Sequence, residues 1–194
     1  NLSKEIKHYK VNEGNYEIFV EKSVENIRKY IVAGVIKNLE INERKLKSIM
    51  NLQEKLHITH GRNRKKVAIG VHNLDVIKFP LYYKAVDPDN KFIPLNFDYE
   101  LTLREILEKH EKGIKYKHII EKFDKYPVII DSNNKIISMP PIINADFTKV
   151  NENVRNLLIE VTGTNFYGVN KALNIIITSI VEDGGEIYSV KIID

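Results

Sequence analysis

Three clusters of polar residues in this 194-residue chain have types and spacings that reaction chemistry uses. The first is Ser138-Met139-Pro140-Pro141-Ile142-Ile143-Asn144. Two prolines fix the backbone after a predicted strand, and Asn144 follows. An amide braced in this way can donate to a developing oxyanion or position a water. The same residues also suit an ordinary strand exit with an Asx turn. The second cluster is Asn51-Leu52-Gln53-Glu54-Lys55-Leu56, followed by Gly61-Arg62-Asn63-Arg64-Lys65-Lys66. It places Gln53 and Glu54 at a helix C-terminus facing a basic loop. That loop can hold phosphate, or the whole can be a solvated helix end. The third is Glu160-Val161-Thr162-Gly163-Thr164. Alternation puts Glu160 and Thr162 on one strand face, opposite Val161. There they either read a substrate hydroxyl or face water.

Other chemistries have little support. The six histidines include His57 and His60, three apart, but no Glu lies between them as metal-protease spacing needs. They read as helix-end or loop residues, and no metal site is expected. Seven serines are scattered with no G-x-S-x-G elbow. The chain has no Cys, which excludes disulfides, thiolate catalysis, zinc fingers and iron–sulfur sites. No G-x-G-x-x-G or phosphate-binding loop is present. With 43% hydrophobic and 29% charged residues, the composition is that of a folded globular domain. No run of about 18 apolar residues exists, nor a signal peptide, so a cytoplasmic location and no membrane partner are expected. The net charge of +4 suits a polyanion such as RNA; no DNA partner is expected. The abundance of Lys, Asn and Ile also follows from adenine- and thymine-rich codons.

These clusters need a scaffold, and the sequence predicts one domain of class α+β, with layered β-sheets and a few helices packed on them. A chain this long buries roughly 70% of its unfolded surface. Strands are predicted at 16–20, 29–39, 66–71, 81–86, 128–131, 135–138, 156–161 and 186–193. Asn42 caps a helix running through Glu54. Thr102 and Glu105 form a capping box that opens a helix closed by Gly113. A short helix is predicted from Tyr116 to Phe123. The turn Ser132-Asn133-Asn134 makes a hairpin. A long helix spans about 165–181, with Gly184-Gly185 as its stop. The first residue is Asn1, not Met, so the chain reads as a piece of a longer protein.

NLQEKLH, KKVAIGVHNLD, YKAVDP, FIPLN, ELTLREILEKHEKG, YPVIIDS, SMPPIIN, EVTGT and EDGGEIYSV occur here in that order. The succession closely resembles the editing domain of the phenylalanyl-tRNA synthetase β subunit, in its archaeal and eukaryotic form. The resemblance runs from about residue 15 to 193. It implies hydrolysis of tyrosine wrongly esterified to tRNA(Phe), supporting the fidelity of protein synthesis. The alternatives are a non-catalytic tRNA- or protein-binding module of the same fold and a free-standing deacylase. A pocket built for a Phe ring cannot strongly reject an isostere with one added hydroxyl, so a second site that hydrogen-bonds the hydroxyl has a purpose.

The resemblance implies roles residue by residue. Asn144, Gln53, Glu54 and Arg64 match the groups beside the scissile ester. Ser138, Glu160 and Thr162 match those reading the tyrosine hydroxyl, with Ile129 as the apolar wall. Leu95 and Lys149 match positions near the terminal adenosine of the tRNA. Where Ile129, Glu160 and Lys149 stand, the archaeal pattern has Leu, Asp and Arg. Lys149 keeps the charge but loses the flat guanidinium that stacks on adenine. No cofactor or metal is implied for this domain; ATP and Mg belong to ligase modules outside it. The synthetase α subunit, in a heterotetramer, is the implied protein partner.

Overall fold

A computed structural model describes residues 9–194; His8 lies outside the described residues. The strands are β1 (Val11–Val20), β2 (Tyr30–Lys37), β3 (Val67–Asn73), β4 (Leu81–Val86), β5 (Lys91–Phe92), β6 (Leu101–Thr102), β7 (Tyr126–Ile130), β8 (Ile136–Met139), β9 (Ile143–Asn144), β10 (Leu157–Gly163) and β11 (Glu186–Ile193). The helices are α1 (Glu43–Ile58), α2 (Leu103–Lys109), α3 (Glu111–Tyr116) and α4 (Phe166–Val181). Nine strands form one mixed sheet in the order β3-β10-β2-β11-β1-β4-β7-β8-β9, and β5 pairs with β6 separately. The sheet is nearly closed. Its two terminal regions, β3 at one end and the β8–β9 hairpin at the other, line a single cleft.

Strand β10 lies between β2 and β3 and is buried along its whole length. Its alternation therefore separates two interiors rather than an inside from an outside. Leu157, Ile159 and Val161 pack with Val169, Leu173, Ile176, Ile177 and Ile180 of α4. Each such fully buried side chain contributes about 1.5–3 kcal/mol. Leu158, Glu160 and Thr162 face the other way, where Leu158 joins an inner core with Tyr83, Ala85 and Ile129. A third core gathers α2 and α3 against β7 and β8.

Most expected elements appear. Asn42 caps α1 by accepting from the Lys45 N–H at 2.7 Å, though the helix continues to Ile58. The capping box of Thr102 and Glu105 is closed in both directions. Gly184 and Gly185 adopt φ of 122° and 109° just beyond α4, where a left-handed stop favours glycine. Two expectations fail. The helix from Thr102 is not closed by Gly113; it breaks at His110, whose Nδ1 accepts from the Lys112 N–H and so caps α3. Gly113 lies inside α3, where a Cβ would stand 1.8 Å from the Ile106 carbonyl oxygen. It is there for close helix packing, not as a terminator. The expected helix from Tyr116 to Phe123 is only a 3-10 turn over Lys117–Ile119.

Candidate active site

The Pro-Pro segment is the turn of a tight hairpin. Ile142 N–H donates to the Met139 carbonyl at 2.8 Å, closing a four-residue turn around Pro140 and Pro141. The chain then returns antiparallel to β8, with Ser138 directly opposite Asn144. Residues opposite each other in such a ladder have Cα atoms about 4.5–5.5 Å apart and side chains on one face. Ser138 and Asn144 accordingly both line the cleft. Strand β9 is held from its other side too: Leu95 N–H donates to the Asn144 carbonyl at 2.9 Å. The backbone of Asn144 is thus pinned on both edges. Its half-buried side-chain amide has no hydrogen-bond partner among the described residues.

The opposite wall comes from α1 and β3. Strand β3 is an edge strand, so Ile69 presents an outward N–H and carbonyl that need partners. Helix α1 supplies both. Ile69 N–H donates to His57 Nε2 at 2.8 Å, and Gln53 Nε2 donates to the Ile69 carbonyl at 2.8 Å. Because His57 Nε2 is an acceptor, the neutral ring carries its proton on Nδ1, which faces Glu54 Oε2 at 3.5 Å. Burial, reinforced by the charge of Arg64, pushes His57 down to about 4. It is neutral at physiological pH.

Arg64 joins the two walls. It arrives on three successive residues in the left-handed region, Arg62, Asn63 and Arg64, with φ of 46°, 56° and 71°. Such conformations cost about 1 kcal/mol or more each and persist only where surroundings impose them. The Arg64 guanidinium donates to the carbonyls of Pro141 at 3.2 Å and Ile142 at 2.9 Å. It also lies over the Tyr116 ring, 4.3 Å from its centroid. Glu54 Oε2 stands 3.7 Å from its Nη2. Partial burial raises the Glu54 carboxyl, but the His57 ring that faces it, followed by Arg64 and Lys112, outweighs this and holds the group below its ordinary value. Glu54 is therefore a carboxylate and a weak base.

The far end of the cleft is buried, and its polar side chains are anchored to other buried groups. Glu160 is 2% exposed, and its Oε1 lies 3.2 Å from His72 Nε2. Burial raises the Glu160 carboxyl, against the lowering pull of His72, Arg28 and the Ser138 hydroxyl. Space for this side chain comes from Gly70, its partner in β3; a Cβ there would stand 1.8 Å from Glu160 Oε1. The Thr162 hydroxyl accepts from Arg28 Nε at 2.9 Å. Arg28 is 1% exposed and donates further to the carbonyls of Thr162, Arg64 and Lys65, each at 3.0 Å. Burial lowers it to about 10, which leaves it protonated. One cation thus fixes both Thr162 and the loop that delivers Arg64. The cleft between these ends has a volume of about 480 Å³.

The pattern of the B3/4 domain matches residues 19–176 of this chain. The chain belongs to the B3/4 domain family. It is 52% identical over 190 residues to the phenylalanine–tRNA ligase β subunit of Methanocaldococcus jannaschii, covering 97% of this chain and 34% of that protein. The corresponding protein of Methanosphaera stadtmanae is 48% identical over 192 residues, covering 98% and 34%. The chain thus spans about a third of the length of these curated relatives. A crystal structure of an N-terminal fragment of the phenylalanyl-tRNA synthetase β subunit from Pyrococcus horikoshii superposes with a TM-score of 0.94 at 44% identity. That match covers 95% of this chain and 54% of the fragment.

In this B3/4 domain the cleft brings together eight of the ten expected site residues: Gln53, Glu54, Arg64, Leu95, Ser138, Asn144, Glu160 and Thr162. Ile129 and Lys149 do not line it. Ile129 pairs with Ser138 in the ladder, but it is fully buried and packs in the inner core behind the cleft. Lys149 is exposed, following the 3-10 turn Asp146–Thr148. Lys112 of α3 is the cation that borders the cleft instead. The sequence reading also missed Arg28, His57 and His72. His57 carried one usable signal, its place on the α1 face shared with Gln53. Gly70 in the middle of KVAIGV was a signal for Glu160, because an interior strand glycine marks close approach of another group.

Proposed function

We propose that this B3/4 domain hydrolyses tyrosine esterified to the 3′ end of tRNA(Phe), as an editing site within a phenylalanine–tRNA ligase β subunit. The observation that carries the reading is the division of the cleft. One end offers an amide with no internal partner, Asn144, beside Arg64 and Gln53. The other offers a buried polar group, Ser138, Glu160 and Thr162, at the depth where a tyrosine ring would end. A cleft of this volume suits a single amino acid and the start of its adenosine.

The chemistry needs no covalent intermediate. Water adds to the ester carbonyl, and the Asn144 amide donates to the oxygen as it becomes anionic. The ester C–O bond then breaks, and the ribose oxygen leaves with a proton. Glu54, held ionised, favours Arg64 electrostatically rather than taking a proton. The neighbouring hydroxyl of the terminal ribose is the better proton carrier. Gln53 is held by Ile69 and presents its remaining oxygen as an acceptor. Lys112 neutralises phosphate at the mouth without reading sequence, while the buried Arg64 holds the two walls together. Leu95, adjacent to Asn144, gives the adenosine an apolar surface. Phenylalanine is refused because its ring would desolvate the polar end without pairing it. The synthetase α subunit and the ATP-dependent modules belong to parts of the ligase beyond this domain.

The test is release of tyrosine from Tyr-tRNA(Phe) by this chain, against the spontaneous rate. Enzyme-dependent release supports the reading. Tight tRNA binding with no release would instead identify a non-catalytic binding module.

A further inference from the structure

We infer that the rings of Tyr30, Phe166 and Tyr167, with the cations around them, form an RNA-binding surface outside the cleft, where unpaired bases stack while their phosphates meet the lysines. That the bound stretch lies just upstream of a 3′ end in the cleft rests on the proposed hydrolysis; the binding itself does not.

Three segments build this surface: the start of β2, the loop leading into β3, and the end of β10 with the first turn of α4. The sheet brings them to one end, because Gly163 pairs with Tyr30 on one side and with Val67 on the other. Just beyond, Thr164 N–H donates to the Lys66 carbonyl at 3.1 Å. Residues 26–30, 61–67 and 161–171 hold seven Lys and Arg and no Asp or Glu. Arg28 and Arg64 are buried. That leaves Lys29, Arg62 and Lys65 exposed, with Lys66 and Lys171 half-buried. The charge of these five exceeds the net +4 of the whole chain, so the positive excess is gathered here.

Phe166 and Tyr167 are 60% and 68% exposed, the most open Phe and Tyr side chains among the described residues. They open α4, whose core-facing stripe begins at Val169. The fold gains little from them, since a ring stabilises only by the area it removes from water. Phe166 meets Tyr30 with 5.6 Å between centroids. Lys29 Nζ lies 5.5 Å from the Tyr30 centroid, and Lys171 Nζ lies 5.9 Å from that of Tyr167. Open rings with cations alongside suit unpaired nucleotides, which bring a stacking face and a phosphate together. An apolar protein surface would cover the rings but would strip water from cations that these segments give no carboxylate. RNA supplies the counter-charge itself. The loop also faces two ways: Arg64 turns into the cleft, whereas Arg62 and Lys65 are exposed. Arg28 holds this loop through the Arg64 and Lys65 carbonyls. The surface is thus continuous with the cleft wall.

The probes are a tRNA(Phe) transcript and a minihelix of its acceptor arm with an unpaired 3′ end, titrated with this chain by fluorescence anisotropy over a salt series. Phe166→Ser with Tyr167→Ser should weaken binding of both about tenfold, the scale of a lost base stack, and leave the salt slope unchanged. Lys29→Ala with Lys65→Ala and Lys66→Ala should weaken binding at low salt and lower the slope of log affinity against log salt by about two to three. The control is Phe19→Ser with Tyr82→Ser, at a stacked pair of exposed rings on β1 and β4, which should leave binding unchanged. Unchanged RNA binding in the folded Phe166 and Tyr167 variant would overturn the inference and give the surface to another part of the ligase. An equal loss in the control, or an unchanged slope in the lysine variant, would overturn it too. RNA binding that depends on these rings, with no tyrosine release by the parent, defeats the hydrolytic reading alone. Tyrosine release with RNA binding indifferent to the rings defeats this inference alone.

Discussion

The two ends of the cleft are built differently. At the buried end, Glu160, Thr162 and Arg28 are each tied to named partners, and almost nothing is solvent-exposed. At the open end, Glu54 is 43% exposed, and Asn144 keeps its amide free while its backbone is pinned on both sides. Buried polar groups must be satisfied before substrate arrives, or the fold loses about 1–3 kcal/mol for each. A reacting group must instead be placed and left uncommitted until the transition state forms. The buried end therefore suits selection and the open end suits rate.

That separation can be broken at either end. The largest effect is expected at Asn144. Asn144→Ala should slow tyrosine release about 100- to 1,000-fold while circular dichroism and melting stay near the parent's. A folded variant with near-parent hydrolysis would remove Asn144 from the chemistry. At the other end, Ser138→Ala and Thr162→Ala each remove a group that phenylalanine would leave unpaired. Each should raise release of phenylalanine while tyrosine release falls far less than in Asn144→Ala. Parallel changes on both esters would show that these hydroxyls serve only the strands.

The contrast also shows what a sequence can carry. Asn144, Ser138 and Arg64 lie in compact motifs, and local chain geometry, a Pro-Pro turn and a basic loop, is enough to place them. Arg28 reaches Thr162 across 134 positions, and His72 reaches Glu160 across 88. No local pattern marks them, because their partners meet only when the nine-stranded sheet curls. Whether Glu160 and Thr162 face water or an interior was likewise undecided by alternation. It is settled by Arg28 and His72, which enclose that face, and by Gly70 leaving room. The break at His110 was hidden for a similar reason. His110 Nε2 lies 3.1 Å from the Leu95 carbonyl, a tertiary contact that no helix signal anticipates.

Two smaller effects sharpen the comparison at its boundary. His57 is depressed to about 4 in the folded chain, against an ordinary value of 6.5. Between those values the unfolded chain binds the extra proton, so this contribution to stability is present above pH 6.5 and is lost as pH falls toward 4. At pH 5 the loss is about 2 kcal/mol relative to pH 8. Denaturant titrations of the parent and His57→Gln should show this slope in the parent only; identical slopes would mean that His57 is not held neutral. The smallest effect is expected at Glu54. Since it stays ionised, Glu54→Gln should reduce tyrosine release by no more than about threefold to tenfold, the scale of a screened ion pair. A drop as large as that of Asn144→Ala would make Glu54 the base.

The central claim is that one cleft both hydrolyses the ester and selects the hydroxyl. It is tested most directly by single-turnover release of tyrosine and of phenylalanine from the same tRNA(Phe), measured side by side with this chain at one salt concentration. The account predicts tyrosine release at least about 100-fold faster than phenylalanine release, the discrimination expected when a site built to hydrogen-bond a hydroxyl meets a substrate lacking it. Equal rates for the two esters, or no release of either above the spontaneous rate, would contradict it.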